Sequence, residues 1–213
     1  MIDIGNPFYF DWEIKFSVWL RGTFNGSILD WIFFIISIIC DSGLIWYILA
    51  VILFCFKKTR LVAIVALFNL LFLTGINDFI VKTVVSRARP FYSQTVDAYP
   101  EASIIRDFVF SNFKNGSGIG EIPNKGSFMS GHTISSIAFS VAVVFKNRKV
   151  GIPLVVFALL VSFSRIYLGV HFVTDVLAGL AYACIFSIGL SILYWFVVKK
   201  IGNRIKNKKE VVA

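Results

Sequence analysis

The sequence predicts an all-α protein, a polytopic membrane helical bundle of about five spans with outer interfacial helices. Three observations predict it. The chain of 213 residues is 57% hydrophobic and 15% charged, against about 45–50% apolar and about 25% charged in a soluble domain. Its apolar residues fall in long runs separated by short polar stretches, as membrane spans do. Its basic residues cluster beside the ends of those runs, so the net charge of +9 reads as membrane topology rather than nucleic-acid binding.

The N-terminal stretch 8–20 carries Trp12 and Trp19 among alternating charges and reads as interfacial. Its opening, MIDIGNPFYFDWE, is acidic where a secretory signal is basic, so the spans themselves are expected to direct insertion. Residues 28–56 are apolar except for Asp30 and an Asp41-Ser42-Gly43 break. Of these, 42–56 read as a span and 28–40 as a helix at the interface. Residues 61–81 suffice, at about 1.5 Å per residue, to cross the roughly 30 Å hydrocarbon core. Residues 130–145 and 151–168 are shorter spans bounded by charge, and 176–198 form the last. The expected organisation is N-terminal interfacial helices over 1–41, a membrane domain over 42–200 with an outer loop over 91–129, and a basic tail over 201–213. Cys40, Cys55 and Cys184 all lie in apolar stretches without ligand or disulfide spacing and read as buried hydrophobes.

Charge sets the orientation. Lys57, Lys58 and Arg60 join the first two spans, and Lys146, Arg148 and Lys149 join the third and fourth. Lys199, Lys200, Arg204, Lys206, Lys208 and Lys209 follow the fifth. All three clusters share one side, which the positive-inside rule makes cytoplasmic, the C-terminus included. The expected location is the plasma membrane. The opposite, outer side receives the end of the second span, the 91–129 loop and the turn between the fourth and fifth spans. The loop, with its NGSGIG and PNKG turns, is either a flexible linker or a cover.

Three constellations meet on that outer side. Lys82-Thr-Val-Val-Ser-Arg-Ala-Arg89-Pro90 ends the second span. Alone it reads as a snorkelling anchor, but its cations lie against the charge bias, so something must hold them there. Ser130-Gly131-His132 opens the third span, where free amides and the helix dipole suit an anion. Ser164-Arg165 and His171…Asp175 flank the last turn, with His171 and Asp175 one helical turn apart. A carboxylate on one imidazole nitrogen fixes the tautomer and leaves the other nitrogen nucleophilic. Cations Lys82, Arg89 and Arg165 directed at one place suit the oxygens of a transferring phosphoryl group. Asp78, one turn before Lys82, either pairs with it or packs. The outer-loop acids Asp97, Glu101, Asp107 and Glu121 lack a ligand spacing, so no metal and no cofactor are expected.

The sequence resembles the type 2 phosphatidic acid phosphatase (PAP2) family from about residue 61 to 198. KTVVSRARP is similar to its Lys-x6-Arg-Pro signature, SGH to the core of Pro-Ser-Gly-His, and SRIYLGVHFVTD to Ser-Arg-x5-His-x3-Asp. Met129 stands where the family usually has proline, and the short N-terminus is like that of undecaprenyl pyrophosphate phosphatase members. The resemblance implies a PAP2/haloperoxidase-like fold and metal-independent hydrolysis of a membrane lipid phosphate. It implies that Lys82, Arg89, Ser130, Gly131 and Arg165 bind phosphate. It also implies that His171 attacks phosphorus, Asp175 orients it and His132 protonates the leaving oxygen. A polyprenyl diphosphate leads among substrates, with phosphatidylglycerophosphate and phosphatidic acid as alternatives. A lipid-to-acceptor phosphotransferase would use the same residues, and a non-catalytic lipid-binding or transport protein is the reading from another class.

Overall fold

The computed structural model describes residues 8–113 and 126–212, and among them every regular element is helical. Helix α1 (Asp11–Phe24) starts with acids in its first turn, and Glu13 accepts the Phe10 N–H at 3.2 Å, which satisfies an amide the helix leaves unpaired. Gly26, at φ +77, turns the chain by 120° into α2 (Ile28–Ile39). Asp30 locks that corner by accepting the Gly26 N–H at 2.8 Å and pairing with Arg21. The Asp41-Ser42-Gly43 break forms a single 3-10 turn, closed by Gly43 at φ +75, before α3 (Leu44–Cys55).

The expected 61–81 span is longer. Helix α4 (Arg60–Ile76) passes through a π-helical turn (Asn77–Val81) into α5 (Lys82–Val85), giving one helix over Arg60–Val85. Helix α8 (Gly131–Lys146) meets α9 (Arg148–Tyr167) across one residue, and α10 (Val173–Val212) closes the fold. Arg60–Val85, Arg148–Tyr167 and Val173–Lys200 are long and apolar enough to cross a membrane, with mean hydropathies of 2.0, 2.0 and 2.2. Helices α3 and α8 are apolar but shorter. The outward faces carry large apolar side chains such as Phe68, Phe79, Leu159, Ile185 and Phe196, as lipid contact requires. This is a multi-pass helical membrane protein.

Between the helices, Trp46, Leu70 and Phe139 join α3, α4 and α8, and Leu73, Ile137 and Ala158 join α4, α8 and α9. Buried amide and hydroxyl groups add hydrogen bonds across this apolar interior. Asn69 Nδ2 donates to Ser191 Oγ at 3.2 Å, and Trp46 Nε1 donates to Ser136 Oγ at 3.0 Å.

The loop read as either linker or cover is, over its described residues, a cover. Helices α6 (Ser93–Ala98) and α7 (Ser103–Asn112) pack Val96, Ile105, Phe108 and Val109 with Ile14 and Leu20 of α1 against Ile166, Leu168 and Val170. The fit leaves no slack: a Cβ on Gly169, which sits at φ +68, would meet Ile105 Cγ2 at 2.3 Å. The NGSGIG turn lies outside the described residues.

Candidate functional site

Chain direction alone brings the expected residues to one end of the bundle. The α4–α5 helix ends there, α8 begins, α9 ends and α10 begins. Lys57, Lys58 and Arg60, like Lys146, Arg148 and Lys149, lie at the opposite ends of the same helices.

His171 lies in the turn between α9 and α10 and is 2% exposed. The turn closes on the Arg165 carbonyl, which accepts the Val170 and His171 N–H groups at 3.2 Å each. Arg89 reaches across from the loop after α5. Its Nη1 donates to the Val170 carbonyl at 2.7 Å and lies 3.2 Å from His171 Nε2, while Nη2 donates to the Gly126 carbonyl at 3.3 Å. Burial first, then the charges of Arg89, Arg165 and Lys82, holds the His171 imidazole well below its ordinary 6.5, with the Ser127 backbone opposing. The ring is therefore neutral with a lone pair available, the state a nucleophile needs.

Asp175 stands beside it with Oδ2 3.5 Å from His171 Nδ1, yet Nδ1 makes no hydrogen bond among the described residues. The expected direct bond is thus an open contact here. Oδ2 instead accepts the Phe172 N–H at 2.9 Å.

Lys82 pairs with Asp78 at 2.7 Å, which settles the alternatives left open for Asp78. A Cβ on Gly131 would stand 3.4 Å from Lys82 Nζ, an ordinary contact distance, so this ammonium lies beside the start of α8. Ser130 caps that helix, its Oγ accepting from Thr133 N at 3.4 Å and Thr133 Oγ1 at 3.0 Å. Its own N–H donates to the Asp175 carbonyl at 3.2 Å, tying α8 to α10.

His132 faces the same space from the first turn of α8. Its Nε2 lies 3.7 Å from Asp41 Oδ1 and has no hydrogen-bond partner among the described residues. Arg165, 4% exposed, donates from Nη1 to Ser37 Oγ, while its buried Nε has no hydrogen-bond partner among the described residues. All of the expected site residues are therefore at one end of the bundle, around a buried positive centre.

Sequence reasoning missed several neighbours. Arg87, inside the first signature, is fully buried and pairs with Asp175 at 2.5 Å and with Glu13 of α1 at 2.6 Å. Asn77 receives the Met129 N–H on Oδ1 at 3.2 Å and returns Nδ2 to the Met129 carbonyl at 3.2 Å. A side-chain clamp thus sets the entry to Ser130. The signals were faint: a lone acid in an aromatic segment for Glu13, and the break in an apolar run for Asp41.

Fold and site together define a multi-pass membrane protein that gathers buried cations and two histidines at helix ends. Residues 60–200 match the PAP2 superfamily, and the chain belongs to that family. It is 52% identical over 59 residues to undecaprenyl-diphosphatase BcrC of Bacillus subtilis (strain 168), a match covering 28% of this chain and 31% of that protein. It is 39% identical over 95 residues to phosphatidylglycerophosphatase B of the same organism, covering 39% and 43%. A lipid A 4'-phosphatase of Porphyromonas gingivalis is 41% identical over 59 residues, covering 27% and 25%. The matches thus span less than half the length of each relative. The crystal structure of a transmembrane PAP2-type phosphatidylglycerolphosphate phosphatase from Bacillus subtilis aligns with a TM-score of 0.41 at 24% identity, covering 92% of this chain and 80% of that one.

Proposed function

We propose that the chain is a membrane lipid phosphatase that transfers a phosphoryl group from its substrate to His171 and then to water. The observation that carries this reading is the neutral, buried His171 with the Arg89 guanidinium 3.2 Å from Nε2. A group needed only to bind an anion would gain nothing from an imidazole held neutral among cations. A nucleophile would, because its lone pair stays available beside the charges that hold the phosphoryl oxygens.

In the first step Nε2 bonds to the terminal phosphorus as its bond to the oxygen of the leaving lipid, or of the leaving lipid phosphate when the substrate is a diphosphate, breaks, and His132 gives the departing oxygen its proton. Lys82, Arg89 and Arg165 hold the equatorial oxygens, with the amides at the start of α8 opposite them. In the second step water attacks phosphorus, the N–P bond breaks and His132 takes a proton from that water. Asp175 supports the imidazole as positive charge develops on it.

Lipid substrates suit a site at the end of a lipid-exposed bundle, because the apolar chain can stay in the bilayer while the headgroup enters. A polyprenyl diphosphate is the first candidate, supported by the 52% identity to a protein named as an undecaprenyl-diphosphatase. Phosphatidylglycerophosphate follows. The basic helix ends opposite the site support an outer-leaflet reaction at the plasma membrane with the C-terminus inside.

Purified protein in mixed micelles should release inorganic phosphate from a polyprenyl diphosphate faster than from phosphatidylglycerophosphate or phosphatidic acid. Failure to release phosphate from all three would sink the reading. Cysteines at Asp97 and Asn147, in a background without Cys40, Cys55 and Cys184, should label from opposite faces. Labelling of both from outside would overturn the orientation.

A further inference from the structure

We propose that Arg87, clamped by Glu13, is a positioning residue for Asp175, so that α1, which precedes the family-matched residues, belongs to the catalytic apparatus. The proposal rests on the reading of His171 as nucleophile. Glu13, Arg87 and Asp175 are each fully buried. Arg87 Nη1 donates to Asp175 Oδ1 at 2.5 Å and to Thr174 Oγ1 at 2.8 Å, Nη2 donates to Glu13 Oε2 at 2.6 Å, and Nε donates to the Phe8 carbonyl at 2.5 Å. Its plane lies over the Phe172 ring, 4.4 Å from the centroid. Glu13 Oε1 in turn accepts the Thr174 N–H at 2.8 Å and the Thr174 hydroxyl at 2.5 Å.

This arginine therefore differs from Arg89, which meets His171 itself. Its donors are directed to carboxylates, a hydroxyl and a carbonyl. A brace for α1 alone would not need three buried charges, since apolar side chains of similar volume hold helices together without desolvating ions. The geometry points to the carboxylate of Asp175. Arg87 holds Oδ1 and the Phe172 amide holds Oδ2, so the group is aimed at His171 Nδ1 from two fixed points. Glu13 matters because it shares Arg87. Two carboxylates around one guanidinium leave the cluster with a net negative charge beside an imidazole that becomes positive as the N–P bond forms. Among the described residues, the charged and titratable groups facing this carboxylate are the Arg87 guanidinium and the neutral His171 imidazole, with Glu13 behind Arg87 and Arg89 beyond the ring.

The chain contains two histidines, so magnetic resonance of isotope-labelled histidine in micelles reads each ring separately. Arg89 donates toward Nε2, so the parent His171 should be the Nδ1–H tautomer. Arg87→Gln and Glu13→Gln should convert it to a mixture while leaving His132 unmoved. The same variants should lower kcat about 10–100-fold, as loss of an orienting partner does, with KM within about twofold. Arg87→Lys should recover part of the loss. In an Asp175→Asn background, adding Arg87→Gln should cost less than about twofold, because the two act as one unit. An unchanged His171 tautomer in folded variants, or an undiminished Arg87→Gln loss in that background, would overturn the proposal. If Arg87→Gln does not fold, Glu13→Gln and Thr174→Val carry the same measurement. A parent that forms no phosphohistidine, yet whose tautomer follows Arg87, would reject the enzymatic reading and leave the positioning role standing.

Discussion

The two histidines sit at the same end of the bundle in very different surroundings. His171 is held in a closed turn, with Arg89 on one nitrogen side and Asp175 on the other. His132 stands on the first turn of α8 with its side chain 15% exposed, and Asp41 lies 3.7 Å from its Nε2, which has no hydrogen-bond partner among the described residues. On the proposed mechanism, the difference teaches how one residue type can serve two roles. A nucleophile must present one lone pair in one direction, so its ring is pinned. The proposed proton donor must serve a departing oxygen and later a water, and its Nε2 makes no hydrogen bond among the described residues.

The largest expected effect lies on the pinned ring. His171→Gln should abolish phosphoenzyme formation with every lipid, since no nucleophile remains. In the parent, the acid limb of that step should lie below pH 6.5. The buried ring resists protonation, so it stays competent where an ordinary imidazole is already half charged. An acid limb above 6.5 would break the contrast. Next comes His132→Ala, expected to slow phosphoenzyme formation about 10²–10⁴-fold for a lipid monophosphate, whose alkoxide needs a proton. The loss should be much smaller for a lipid diphosphate, which expels a stable phosphate anion. Single-turnover labelling of His171 checks it, and equal losses for both lipids would make His132 a phosphate-positioning group.

Arg89→Lys tests whether the pinning depends on a fork. One ammonium cannot serve the Val170 carbonyl, the Gly126 carbonyl and His171 together, and a loss of about 10²–10³-fold in kcat/KM is expected. Retention of full activity would mean that charge alone suffices. Asp41→Asn should be milder, about tenfold or less, and confined to the monophosphate reaction because it acts beside His132. A matching loss with the diphosphate would remove Asp41 from that role. The smallest change in chemistry is expected for Asn77→Ala. It strips the Met129 backbone of both partners and should lower stability by about 1–3 kcal/mol, read as a drop in thermal midpoint, with both histidine steps little altered. A selective loss at His132 would show that this clamp also aims the start of α8.

The helical membrane class and the gathering of Lys82, Arg89, Ser130, His132, Arg165, His171 and Asp175 at one end were determined by the sequence alone. Apolar run length and alternating chain direction decide which helix ends meet, and these are local and periodic properties. The π-helical turn at Asn77–Val81, the clamp on Met129, the Asp41 approach to His132 and the Glu13–Arg87–Asp175 cluster were decided only by the tertiary structure. Glu13 and Arg87 are 74 positions apart in the chain, and no periodicity links them. Their pairing follows from where α1 docks, and that docking is set by apolar packing of the cover on the α9–α10 turn. Buried charges then take the partners that packing brings within reach, because an unpaired charge there would be too costly to keep.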